Sequence, residues 1–337
     1  MEVMIIGESI ALMVALSWTV TALFAEVASK RMGSLPLNVV RMSMSLVLLA
    51  LTLWLTTGAP YPCYADGATW LWLMASGVVG YVIGDYCLMQ CYIYIGSRLG
   101  QLFMTLSAPT AAIVGRLLLG ERMQPLAVVG MVVTLSGIAM AILSKKDDGE
   151  SHTAGGLIGG VRLRLPLRGV VYASIAGICQ GFGLVLSKQG MLHYHTSVAD
   201  AGLDAQEAVA SAVVGVPIEY VIPFSATFIR AAIGLVGFWL MLLALHRDAR
   251  QRMEHALRDR KAMWCVFGAT VFGPFIGVSA SLLATLYTTT GIAQTIFALT
   301  PILIIVPSVV LMHQRVTLRE VVGAVVSFAG VALFFVR

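Results

Sequence analysis

Apolar stretches of about 20 residues recur along the chain, and a bilayer core is about 20 helical residues thick. They run over 4–26, 37–57, 69–94, 100–119, 125–143, 169–190, 221–245, 264–287, 291–312 and 319–336. None alternates as a barrel strand would, so helices are the remaining way to satisfy backbone groups in hydrocarbon. Hydrophobic residues make up 58% of the 337 and charged ones 12%, whereas a soluble domain carries about 25% charged residues. There is too little polar surface to cover a water-facing core. The expected class is an all-α integral membrane protein with ten transmembrane helices. The net charge of +5 comes from Lys and Arg scattered in the gaps, which reads as an orientation signal and not as a nucleic-acid surface. Five cysteines, with no CxxC pair, form neither a metal motif nor a disulfide framework. The first run lacks a basic segment before it and continues to about Phe24, so it reads as a span and not a cleaved signal.

Three gaps are longer than the rest. Residues 144–168 are polar and Gly-rich, as a linker between halves 1–143 and 169–337 would be. Residues 191–220 form an acidic insertion in which DAQEAVASAVV could make a short helix, and 246–261 form a charged loop. The halves overlay at an offset of 193: Gly80, Gly84, Gln101, Gly130 and Gly137 fall on Gly273, Gly277, Gln294, Gly323 and Gly330. With different gaps, Arg41 falls on Arg230, and Ser29-Lys30 on Ser187-Lys188. Five spans is an odd number, so the second copy enters the membrane in the opposite sense. Two inverted five-helix repeats are an arrangement typical of secondary transporters. Most of the 22 Lys and Arg lie in alternate gaps, against Arg122, Lys188 and Arg337 on the other side, which places both termini outside the cytoplasm.

APTAAIVGRLLLGERM at 108–123, with Pro109 in the fourth span and Glu121 in the terminal LGER, resembles the EamA-type carriers of the drug/metabolite transporter superfamily. The second copy, TPILIIVPSVVLMHQR, has Pro301 but carries Gln314 in place of the acid. The resemblance implies a ten-helix carrier for an amino acid or related metabolite, exporting across a bacterial cytoplasmic (inner) membrane. It implies no cofactor, with proton coupling or solute exchange as the energy source. The partners are then the lipid bilayer and a small-molecule substrate, with no nucleic acid, and a homodimer left open. Family members are drawn with both termini in the cytoplasm, opposite to the charge count.

Several residues are candidates for the site. Asp85 lies roughly 10–15 Å inside the third span, on a face with Tyr81, Met89 and Tyr92. A carboxylate at that depth needs a partner, a wet cavity or a proton. Arg41 is the expected partner, with a static buried pair the alternative to a substrate or proton site. Arg41 and Arg230 could attract an anion, or cap carbonyls and snorkel to the interface. Gln101 and Gln294 repeat at one depth, as cavity residues or interhelical hydrogen bonds. Trp18 and Gln180 are mid-span candidates for a cavity wall. Small-residue stripes through Gly80 and Gly84, and through Gly273 and Gly277, read as helix-packing faces. Glu121 reads as a turn acid satisfying amides or pairing with Arg122, and Glu8 and Glu26 as solvated at interfaces. His193 and His195 lack further ligands for a metal. No phosphate-binding loop is present, so ATP coupling is not expected. The alternatives to a carrier are a membrane-embedded aspartyl protease-like enzyme, faintly suggested by IGDY at Asp85, and a non-transporting scaffold.

Overall fold

The computed structural model describes residues 2–143, 166–200, 217–304, 307 and 318–335. Every regular element among them is helical. The first half contains α1 (Glu2–Met32), α2 (Ser34–Thr57) and α3 (Gly67–Gly77), then a π-helical segment (Val78–Asp85), α4 (Tyr86–Met104), α5 (Ser107–Leu119) and α6 (Pro125–Leu143). The second contains α7 (Leu167–Asp200), α8 (Ile218–Leu245), a short surface helix α9 (Ala249–Arg258) and α10 (Arg260–Thr270). A second π-helical segment (Val271–Phe275) follows, then α11 (Ile276–Tyr287), α12 (Thr290–Phe297), α13 (Thr300–Leu303) and α14 (Leu318–Phe335). Six helices among the described residues are long and apolar enough to cross a bilayer, and four further apolar helices are shorter. The chain is a multi-pass membrane protein.

Turns between helices fall where glycine allows a left-handed backbone. Gly33 (φ 85°) separates α1 from α2, and Gly96 (φ 79°) breaks α4 where the third span was expected to end. The fourth span is not one helix. It breaks at Thr105–Leu106, and its repeat counterpart breaks at Ala298–Leu299, again 193 residues on. Pro109 and Pro301 lie in the first turn of the pieces that follow, α5 and α13. A proline there lacks an amide that would have no helical partner anyway, but one turn deeper it would disrupt the ladder. The carbonyls loosened at the breaks are taken up locally: the Thr105 hydroxyl donates to Leu102 O at 2.7 Å and the Thr300 hydroxyl to Phe297 O at 2.7 Å.

The π-helical segments are also a repeated pair, beginning at Val78 and Val271. A β-carbon on Gly84 would lie 3.2 Å from Val79 O, and one on Gly277 only 2.3 Å from Phe272 O. In each case the obstructing carbonyl is five residues back, so these two glycines make room for the wider turn itself. Gly80 and Gly273 serve contact instead. A β-carbon on Gly80 would lie 2.9 Å from Arg230 Nη2, and one on Gly273 would lie 3.0 Å from the Thr21 methyl.

The halves interlock. α1 packs on α10 and α11, while α7 packs on α3, α4 and the first π-helical segment. The pairs α2–α8 and α6–α14 bring repeat mates together. Contacts between α6 and α14 are reciprocal, as across a twofold axis. The Thr134 hydroxyl approaches Ser327 O at 3.4 Å and the Ser327 hydroxyl Thr134 O at 3.2 Å. A β-carbon on Gly137 would meet Gly323 O, and one on Gly330 would meet Gly130 O.

Some expectations need correction. α7 does not stop near 190 but runs to Asp200, so the start of the 191–220 insertion is helix. Gly190 is no terminator there, because it lies against Leu73, with 2.7 Å left for a β-carbon. The charged 246–261 loop contains α9, which buries Ala249, Met253 and Ala256 at helical spacing and carries the i,i+4 pairs Arg250–Glu254 and Arg252–Asp248, both at 3.0 Å. Glu8 is not solvated: it is 1% exposed. The 144–165 part of the linker, the DAQEAVASAVV helix and Gln314 lie outside the described residues.

Beyond the spans, Asp259 joins the α9–α10 turn to the end of α1. Arg31 Nε donates to its carboxylate at 2.7 Å and the Ala262 amide at 3.1 Å. The Arg31 hydrogen bond, helped by that amide, holds the Asp259 carboxyl below its ordinary range. Its contribution to stability is therefore present above the unfolded-state value and is lost as pH falls through the lowered one.

The π-helical segment gives the first prediction. Gly277→Ala forces its methyl onto Phe272 O, and such overpacking costs about 1–3 kcal/mol. Gly67→Ala, where a β-carbon meets nothing within 4 Å, should be neutral. Thermal unfolding in detergent should show a drop of several degrees for the first and almost none for the second.

Candidate functional site

Between the interlocked halves lies a cavity of about 70 Å³, several times the space a water needs. Trp18, Arg41, Asp85, Tyr92, Gln101, Gln180 and Gln294 all line it. They come from α1, α2, α4, α7, α12 and the first π-helical segment. Arg230 alone of the expected solute residues does not line it. Its guanidinium carbon lies 4.8 Å from the centre of the Tyr81 ring, and Tyr81 does line the cavity.

Asp85 is the hub. Arg41 Nη2 donates to its Oδ2, and Gln180 Nε2 donates to its Oδ1 at 2.9 Å. The same Gln180 amide approaches Gly80 O at 3.4 Å, a carbonyl of the π-helical segment. One side chain of the second half thus satisfies both the carboxylate and the backbone of the first. Ser17 does the converse work across the halves, donating to Phe272 O at 2.6 Å in the second π-helical segment. The two glutamines have separate partners. Gln101 donates to the Tyr92 hydroxyl, and Gln294 Oε1 accepts from Ser107 at 3.0 Å. Trp18 lies tilted against Phe297 with ring centres 4.9 Å apart.

Both arginines are interior groups, each 3% exposed, which rules out the snorkelling expected of them. Arg230 is twelve residues, about 18 Å, into α8, too deep to reach an interface. Arg41 has its carboxylate, but Arg230 has no ion-pair partner among the described residues. A desolvated cation over an aromatic face gains about 2 kcal/mol, against a desolvation penalty of several kcal/mol per ion. The Nε atoms of Arg41 and Arg230, the Tyr81 hydroxyl and both polar atoms of Asn38 are buried without a hydrogen-bond partner in the structure.

Two further carboxylates tie helices together outside the cavity lining. Near Gly33 and Gly96, Glu26 accepts from the Ser97 amide at 2.9 Å and from Lys30 at 2.5 Å. The other, Glu121, pairs not with Arg122 but with Lys188 of α7, at 2.7 Å. Its second oxygen accepts from the Thr290 amide at 2.9 Å and hydroxyl at 2.6 Å, and Lys188 also reaches Thr288 O at 3.0 Å. Glu121 is thus a latch between the halves. Lys188 lies well inside α7, not at its end, because α7 continues to Asp200. A β-carbon on Gly115 would lie 2.9 Å from Glu121 Oε2, so the glycine leaves the acid its place.

Ser107, Met104, Phe297 and Pro274 line the cavity without having been singled out in the sequence. Ser107 and Phe297 flank the two helix breaks, and the repeated prolines were the available signal. Pro274 is inside the second π-helical segment, for which the sequence offered only a proline in an apolar run. The described residues contain no group of three or more His, Cys, Asp or Glu able to hold a metal.

Two predictions follow from these contacts. Asp85→Asn and Arg41→Gln should each destabilise by about 3–5 kcal/mol, and the double variant by clearly less than their sum, because each single change strands a buried charge. Unfolding of all four proteins in one detergent measures this cycle. At the latch, Lys188→Gln should lower the melting temperature while Arg122→Gln leaves it unchanged; equal effects would contradict the pairing.

The profile of the EamA-like transporter family matches residues 5–143 and 207–336. No curated protein matches. Among solved structures 28 chains match. One is a crystal structure described only as that of a protein, with a TM-score of 0.63 and 14% identity over 98% of this chain and 96% of that one. At that identity the likeness concerns the fold alone.

Proposed function

The chain belongs to the EamA-like transporter family, and from that membership and the cavity we propose that it is a secondary carrier of a small metabolite, working by alternating access. The observation that carries the proposal is the cavity itself. It lies between two duplicated halves, is walled by both, and is crossed by the Arg41–Asp85–Gln180 hydrogen bonds. In this reading α3 with its π-helical segment and the first part of α4 is one crossing, and the remainder of α4 with α5 is the next. Their counterparts in the second half bring the total to ten spans in two inverted repeats. The reciprocal α6–α14 contacts support the inversion. At 19 and 18 residues, α6 and α14 are about 28 Å long, close to the hydrocarbon thickness of about 30 Å. Discontinuous helices at mid-membrane are the usual setting of transporter sites.

The Glu121–Lys188–Thr290 latch is the closure on one face, and its release opens the cavity there. The Glu26–Ser97 contact closes the opposite face. Export is the proposed direction, with proton coupling through Asp85 or exchange of two solutes as its source of energy.

Counterflow in sealed proteoliposomes tests the carrier. A preloaded metabolite should accelerate uptake of its labelled form with saturable kinetics, and absence of such flux across a broad metabolite panel would sink the proposal. Proton coupling is separable. Wild-type flux should change with pH, and Asp85→Asn should flatten that profile; profiles that are flat for both proteins leave solute exchange.

A further inference from the structure

The duplicated halves differ in charge at the cavity. Arg41 and Arg230 are repeat mates, and both are kept. Asp85 has Val278 as its mate, and Val278 lines the cavity. Two buried cations therefore share one carboxylate. Asp85 is already committed, since its two oxygens accept from Arg41 and Gln180. Among the described residues Arg41 and Asp85 are the charged side chains that line the cavity and cancel, so the excess positive charge is that of Arg230, buried behind the Tyr81 ring of the wall. Arg230 lies over the Tyr81 ring, at 4.8 Å, with its Nη2 against Gly80, and it has no carboxylate partner among the described residues.

The unused hydrogen-bonding groups point the same way. Arg41 Nε and Arg230 Nε are pure donors without an acceptor, and the Tyr81 hydroxyl beside them has no partner. A ligand that brings acceptors and a negative charge answers all three. An ammonium group finds no carboxylate free to receive it. The remaining wall is apolar and aromatic, with Trp18, Leu88, Met89, Met104 and Phe297 around the cavity.

We propose that the solute of this cavity is an organic monoanion, a carboxylate on an apolar body, taking the place of the acid that the second half lacks. This deepens the carrier reading and rests on it for the word solute. The binding claim can be tested without flux.

The experiment is thermal unfolding of the full-length protein in detergent, at constant ionic strength in a chloride-free buffer, with four compounds that share a benzyl group. Phenylacetate is the monoanion, phenylacetamide the neutral form, phenylalanine the zwitterion and phenethylammonium the cation. Near saturation phenylacetate should raise the melting temperature by about 2–4 °C, with the zwitterion and the amide well behind and the cation without effect. Arg230→Gln should weaken phenylacetate about tenfold or more, and Arg230→Lys should retain most of the affinity. Val278→Asp, which brings the charge count to zero, should abolish the preference for the anion. Where Arg230→Gln fails to fold, Val278→Asp and the wild-type series still decide.

The proposal is overturned if the amide or the cation stabilises as well as phenylacetate. It is overturned equally if chloride at the same concentration does so, if none of the four compounds has an effect, or if Arg230→Gln binds phenylacetate unchanged. Anion-specific binding with no counterflow would leave this inference standing and remove the carrier. Counterflow of a neutral or cationic solute with no anion binding would do the reverse.

Discussion

A carbonyl released from a helix inside a bilayer has no water to turn to, so every departure from regular helix must bring its own hydrogen-bond donor. This constraint decides where the protein is irregular. Gln180 reaches Gly80 O and Ser17 reaches Phe272 O, each from the other half, at the two π-helical segments. Thr105 and Thr300 supply hydroxyls at the two breaks. All four irregularities border the cavity, and its wall includes residues from or directly beside each. The cavity exists because helices are interrupted there, and the interruptions are tolerated because a neighbouring helix or the segment's own threonine supplies a donor.

The backbone irregularities obey the duplication more faithfully than the charges do. Both π-helical segments and both breaks recur at an offset of 193, and Gly84 and Gly277 each stand before a carbonyl five residues back. Geometry of this kind is hard to alter, because a β-carbon at Gly277 collides with backbone and one at Gly84 presses on it. Side-chain charge is freer to drift. Asp85 faces Arg41, while Val278 leaves Arg230 to an aromatic ring. The result is a symmetric frame around an asymmetric electrostatic interior, which gives the cavity a sign.

Much of this was legible in the sequence. Apolar length marks the spans, and a repeat offset of 193 is independent of any structural knowledge. The Arg41–Asp85 contact could be anticipated because two opposite charges at similar depth in hydrocarbon have few other options. What was illegible had a common cause. A π-helical turn changes the register by one residue without changing composition, so Val78–Asp85 reads like any apolar helix. Lys188 was counted at the end of the sixth span because Gly190 and the polar residues after it resemble a helix end. Only the packing of Gly190 against Leu73 shows why α7 continues. Glu121 was matched with its sequence neighbour Arg122, whereas its partner, Lys188, comes from the other half. Contacts between repeats separated by more than 60 residues leave no local pattern to read.

The interlocking of the halves limits how such a protein can move. α1 lies on α10 and α11, and α7 on α3 and α4, so each half lends its first helix to the third crossing of the other. If the two halves swung apart as sequence-defined units, these apolar interfaces would break, along with the Ser17–Phe272 and Gln180–Asp85 hydrogen bonds. In the proposed alternating-access reading the mechanical units are therefore mixed, one built on α1 with α10 and α11, the other on α7 with α3 and α4. Glu121 ties these units together. It comes from α5's end, grips Lys188 of the second unit and binds Thr290, whose helix α12 also packs on α1 of the first. The contact of Glu26 with the Ser97 amide joins the same two units elsewhere, because Glu26 comes from α1 and Ser97 from α4.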